Sequence, residues 1–68
     1  MKVTVNDITQ IKAGKAKSFL CDTPKQARSG QSNVSYVKKF CRNDMPNDVA
    51  DYETSISGNV LTIVAVPK

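Results

Sequence analysis

Apolar residues fall into two clear rhythms along this chain. Between Ser32 and Arg42, Val34, Val37 and Cys41 recur at spacings of three and four, and Tyr36 and Phe40 form an i, i+4 pair beside them. This is the period of an amphipathic helix. Ser35, Lys38, Lys39 and Arg42 lie toward its other side. From Asp51 to Val66 the rhythm changes to alternation about Gly58-Asn59, a two-residue turn with glycine first. That pattern predicts a β-hairpin. The turn also sets the register, with Ser57 opposite Val60, Ile56 opposite Leu61, Thr54 opposite Ile63 and Tyr52 opposite Ala65. One hairpin face then carries Tyr52, Thr54, Ile56, Leu61, Ile63 and Ala65, and is expected to pack on Val34, Val37 and Phe40. The other face carries Glu53, Ser55, Ser57, Val60, Thr62, Val64 and Val66.

Local signals place the remaining elements. Thr23-Pro24-Lys25-Gln26 reads as a helix start, with the Thr23 hydroxyl capping, proline at the first helical position and Gln26 reaching back. A helix from Pro24 to about Ser29 follows, ended or bent by Gly30. Ser32 is placed to cap a second helical stretch, which Asn43 closes in a left-handed conformation. Pro46 lies in the loop from Asn43 to Asp48. Ahead of the helix, Val3–Val5 reads as a short strand, Ala13-Gly14-Lys15 as a turn that uses glycine's freedom at positive φ, and Lys15 to Cys21 as a strand. The consecutive apolar residues Phe19, Leu20 and Cys21 leave that strand's facing open. The expected fold class is α+β: a βαββ domain, one helix over an antiparallel sheet of about three strands. All 68 residues fit in a single domain.

Cys21 and Cys41 are the only cysteines, and there is no histidine. These are too few ligands for a structural zinc site and too few cysteines for a disulfide framework. Both thiols are expected to be reduced and structural. The first residues lack the apolar stretch of a signal peptide, and no segment approaches the roughly 20 apolar residues of a membrane span. A soluble cytoplasmic protein is the expectation.

Charge is unevenly spread. From Lys12 to Arg42, eight cations face Asp22 alone, for a net of +7, while from Asn43 onward the balance is −3. A basic segment of this kind attracts polyanions. Catalytic chemistry, by contrast, finds no support. Without histidine there is no Ser–His or Cys–His dyad. Asp44, Asp48, Asp51 and Glu53 read as a solvated cluster rather than an acid–base pair. Gly14, Gly30 and Gly58 are isolated, so there is no phosphate loop. Neither an enzyme nor a cofactor or metal is expected.

The sequence favours a binding role, with nucleic acid as the partner. Lys15, Lys17, Arg28, Lys38, Lys39 and Arg42 are the expected phosphate contacts, aided by Gln31, Ser32 and Asn33 at a helix start. One route is a helix-turn-helix over Pro24–Arg42, with Ala27 and Gly30 at the turn, although that motif spaces them four apart rather than three. A second route docks the outer sheet face into a groove. In size, charge and element count the chain resembles integrase-arm-type DNA-binding domains, though those end on the helix. More loosely, the basic segment Ser32–Arg42 followed by Tyr52-Glu53-Thr54 and Gly58-Asn59-Val60-Leu61-Thr62-Ile63 is similar to short proteins of phage and conjugative elements of gut anaerobes. Base stacking on rings is disfavoured, because Phe40 and Tyr52 fall on core-facing positions. The alternative is a protein-interaction module in which Val60, Val64 and Val66 form a dimer or extend a partner's sheet.

Overall fold

A computed structural model describes residues 3–68. A short helix, α1 (Val5–Thr9), opens it. Thr4 and Asp7 make the start of α1: the Asp7 amide donates to Thr4 Oγ1 at 3.3 Å, and Asp7 Oδ2 accepts from the Thr4 amide at 3.0 Å. This reciprocal pair is a capping box built with aspartate, and it overrides the strand expected at Val3–Val5. Val3 itself is buried and belongs to no strand. Gly14 takes a φ of +78° in the turn that follows, as anticipated, and leads into strand β1 (Ala16–Leu20).

Helix α2 (Pro24–Phe40) runs unbroken for 17 residues. Thr23 caps it by accepting from the Gln26 amide at 3.1 Å. The Gln26 side chain reaches one residue further back than expected, accepting from the Asp22 amide at 2.8 Å. Gly30 does not end the helix. It is buried where α2 presses on the sheet, and a Cβ there would stand 2.7 Å from Leu61 Cδ2. The helix-turn-helix reading fails on the same observation, since there is no turn between Ala27 and Val34. Gln31, Ser32 and Asn33 consequently sit mid-helix rather than at a helix start. The end of α2 also differs from expectation. Cys41 caps it without left-handed geometry, and Asn43 lies within a 3-10 turn, Arg42–Asp44. No non-glycine described residue has positive φ.

Strands β2 (Val49–Ser57) and β3 (Val60–Pro67) form the hairpin. Tyr52 pairs with Ala65, Thr54 with Ile63, Ile56 with Leu61 and Ser57 with Val60, as the turn dictates. Gly58 has φ of +61°. The antiparallel sheet has the order β1-β3-β2, so β3 is central. The architecture is a small α+β fold, with the expected strand, helix, strand, strand series preceded by α1.

The core lies between the sheet and the helices. Phe19, Tyr52, Leu61, Ile63 and Ala65 meet Ala27, Val34 and Val37 of α2 and Ile8 of α1, with Val3, Ile11, Cys21 and Val49 closing the periphery. Phe40 is not part of it. The buried arc of α2 is centred on Ala27, Gly30, Val34 and Val37, and at about 100° per residue Phe40 falls well to one side. It is 72% exposed. Both cysteines are free. Among the described residues no helix is long and apolar enough to cross a membrane.

Candidate functional site

The arc that buries Ala27, Gly30, Val34 and Val37 turns Lys25, Arg28, Ser32, Ser35, Tyr36 and Lys39 outward. There is no carboxylate anywhere in α2. Lys25, Arg28 and Lys39 form no ion pair among the described residues, so their charge faces solvent uncompensated. Ser32 bonds back to Arg28 O at 3.2 Å. Tyr36, 50% exposed, and Phe40 sit on the flank of this stripe. Their ring centroids are 5.2 Å apart with 41° between planes. Such a tilted contact is favourable for an aromatic pair. Both rings are thus held in place while each keeps a surface in water.

The six cations selected from the sequence are spread over three places. Arg28 and Lys39 belong to the outer face of α2, and Arg42 continues it, its Nε donating to Lys38 O at 3.1 Å across the helix end. Lys38 turns toward the edge of β2 instead. Its ammonium donates to Tyr52 O at 3.2 Å and stands 3.1 Å from Asp51 Oδ1. Lys15 and Lys17 lie at β1, where Lys17 Nζ is 5.4 Å from the Phe19 ring centroid and contributes to holding the nearby Asp7 carboxyl low. Lys38 therefore has a counter-charge of its own, and Arg42 also lies near enough to help hold the Asp51 carboxyl low.

Two polar residues nominated for recognition serve the fold. Gln31 Nε2 donates to Thr54 Oγ1 at 2.9 Å, and Asn33 Nδ2 donates to Val3 O at 2.8 Å. The exposed residues of this face that the sequence reading did not single out are Tyr36 and above all Phe40. Extending the helical phase back through Ala27 and Gly30 is the signal that places these rings outside.

The sheet face away from the helices presents a different surface. Across β1, β3 and β2 its rows read Leu20, Val60, Ser57; then Ser18, Thr62, Ser55; then Ala16, Val64, Glu53. Ser18 Oγ and Thr62 Oγ1 are bonded at 2.9 Å. Val66 completes the valine stripe opposite Asp51. No lysine or arginine stands in these rows, so the face is unsuited to phosphate.

A cleft of about 240 Å³ between the 3-10 turn and the start of β2 is lined by Arg42 and Lys68 with Met45, Pro46 and Val49. Among the described residues no group of three or more His, Cys, Asp or Glu side chains is placed to hold a metal ion. No protein family, curated protein or solved structure matches the chain.

Proposed function

We propose that this protein binds nucleic acid through the outer face of α2, and prefers segments with unpaired bases. Lys25, Arg28, Lys39 and Arg42 contact phosphates, and Tyr36 and Phe40 stack on bases. The observation that carries this reading is the placement of the two exposed rings beside uncompensated cations on a helix without a carboxylate. Stacking on an aromatic side chain is worth about 1–3 kcal/mol per base and tolerates any base, whereas phosphate contacts supply the electrostatic share.

The test is fluorescence anisotropy with a labelled single strand and the corresponding duplex. For single strands each phosphate contact contributes a log–log salt slope of about −0.7. Four contacts then cost roughly 50-fold in affinity between about 50 and 200 mM salt. The single strand should bind more tightly than the duplex. No binding to either at low salt would end the proposal.

A second reading, association with another polypeptide, is favoured by the open sheet face. Leu20, 66% exposed, extends the stripe of Val60, Val64 and Val66 toward the β1 edge. Salt-independent self-association or capture of an added strand would support it, and a chain that stays solitary under all conditions would exclude it.

A further inference from the structure

The two edges of the sheet are finished differently. Lys15 O accepts from the Ala65 amide and the Cys21 amide donates to Asn59 O. Backbone groups of Lys15, Lys17, Phe19 and Cys21 therefore turn toward β3, and those of Ala16, Ser18 and Leu20 turn outward. On β2 the same alternation directs Tyr52, Thr54 and Ile56 outward. There the chain supplies its own partners. Lys38 Nζ donates to Tyr52 O at 3.2 Å, and Asp51 Oδ1 accepts from the Tyr52 amide at 2.8 Å. The β2 register is also irregular between Val49 and Asp51. Charged side chains and bulges of this kind blunt an edge, and only the short Thr54–Ile56 stretch is left. On β1, edge protection is limited to the strand's shortness and to Lys17 on its helix side. The strand's register is unbroken over five residues, and among the described residues the side-chain bonds at β1 are to Thr62 and to the Phe19 carbonyl, none to the outward amides or carbonyls.

We propose that β1 is the seam of a homodimer, pairing antiparallel with β1 of a second copy about a two-fold axis through Ser18. The sequence of the strand selects this register. Outward-facing residues must meet one another, so the candidates differ by whole steps. Centring on Ser18 sets Ser18 against the partner's Ser18 and Ala16 against the partner's Leu20, so all five residues pair. One step to one side places Lys17 directly against the partner's Lys17, a destabilising like-charge pair. One step to the other side drops Ala16 out of the pairing.

The Ser18-centred register is complementary on both faces. On the helix side Lys17 lies across from the partner's Phe19, so the two lysines are not set directly opposite each other. On the open side each Leu20 covers the partner's Ala16. A row then runs from Val60 through Leu20 to the partner's Ala16 and Val64, one apolar strip across the joined sheet. Five paired residues bury less than the roughly 800 Å² per partner of a standard stable interface, so the association is weak and concentration-dependent.

This proposal narrows the second reading above to a named partner. It does not involve the outer face of α2, and its test contains no nucleic acid. Sedimentation and amide hydrogen exchange are measured on the full chain over a range of concentrations. The apparent mass should climb from 7.4 kDa toward twice that, and exchange at the Ser18 and Leu20 amides should slow in step. Leu20→Lys, at a position 66% exposed and so harmless to folding, should raise the dimer dissociation constant about tenfold or more. Ser55→Lys, on the open face of β2 away from the seam, should leave it unchanged. A chain still monomeric at about 1 mM, or a dimer whose Ser18 and Leu20 amides exchange freely, overturns the proposal. So does a dimer broken by Ser55→Lys and untouched by Leu20→Lys; that result transfers the contact to stacked sheet faces and preserves the broader reading.

Discussion

A methyl group on the α-carbon of Gly30 would stand 2.7 Å from Leu61 Cδ2 and 3.1 Å from Val3 Cβ. Helix α2 approaches the central strand this closely only because residue 30 lacks a side chain. Leu61 and Val3 are both buried, so neither moves without disturbing the core. Alanine would gain about 1 kcal/mol in helix propensity, but overpacking costs typically 1–3 kcal/mol. Gly30→Ala is expected to destabilise the protein by about 1 kcal/mol net in urea denaturation. A stabilised variant would show that the contact relaxes freely.

Tyr52 is 2% exposed and its hydroxyl has no hydrogen-bond partner among the described residues. Leaving such a group unsatisfied costs about 1–3 kcal/mol. Tyr52→Phe should accordingly be neutral or stabilising, by up to about 1 kcal/mol. Burial also pushes the phenol above its ordinary value of 10.0. The unfolded chain releases this proton first, so stability is fully present below pH 10 and declines as the pH rises toward the folded value. Thermal melts between neutral and strongly alkaline pH should show a decline that the phenylalanine variant lacks.

Asp51 is held below its ordinary value of 3.8, first by the hydrogen bond from the Tyr52 amide and then by Lys38. Asp7 is held low by the Thr4 backbone and hydroxyl. A lowered carboxyl stabilises the fold above its unfolded value, and that contribution is lost as the pH falls through the folded one. Both groups are largely solvated, so the effect is small. Acid titrations should begin to lose stability below about pH 4, and Asp7→Asn and Asp51→Asn should each flatten the loss. Unchanged acid limbs would show that these contacts are not kept in solution.

On the outer face of α2, charge and stacking are separable. Lys39→Glu and Arg28→Glu should weaken single strands and duplexes alike, because phosphate contacts carry no base information. Phe40→Ala should weaken the single strand preferentially, by about 5-fold to 150-fold. Since Phe40 is 72% exposed, the variant's melting temperature should stay within a few degrees of the parent. Equal losses on both substrates in anisotropy titrations would remove the stacking role.

The cysteines provide a further check on the fold. Cys21 is 1% exposed and Cys41 is half-buried at the end of α2. A thiol reagent should modify Cys41 first and Cys21 only as the protein opens. Two thiols should titrate in unfolded, unreduced chain.

The hairpin was legible because a single turn, Gly58-Asn59, settles every cross-strand pair at once. Helix α2 was legible at its start, where Thr23 and Pro24 act through their nearest neighbours. Its continuity was not, because Gly30 lowers helical propensity while the reason to keep it helical is Leu61, a residue far along the chain. Phe40 was misplaced for a related reason. The short window Val34–Cys41 leaves the helix's inward direction loose by a residue, and only Ala27 and Gly30 fix it. At α1 the alternation of Val3 and Val5 competes with the capping pair Thr4 and Asp7, and the cap prevails. The cationic segment was visible as composition. Its division into open charges on α2 and the Lys38 charge matched at the edge of β2 depends on the folded position of Asp51.

The central place of β3 in the sheet governs when the fold can exist at all. Neither β1 nor β2 has another strand to lean on, and β1 meets β3 across a gap in sequence that is already 44 residues at the Ser18–Thr62 contact. In the order of synthesis the keystone arrives last. Until then α2 has no floor beneath it and β1 no neighbour, and closing so long a loop slows the approach to the native state. The molecule is therefore all or nothing: no cut made before β3 leaves a smaller sheet behind.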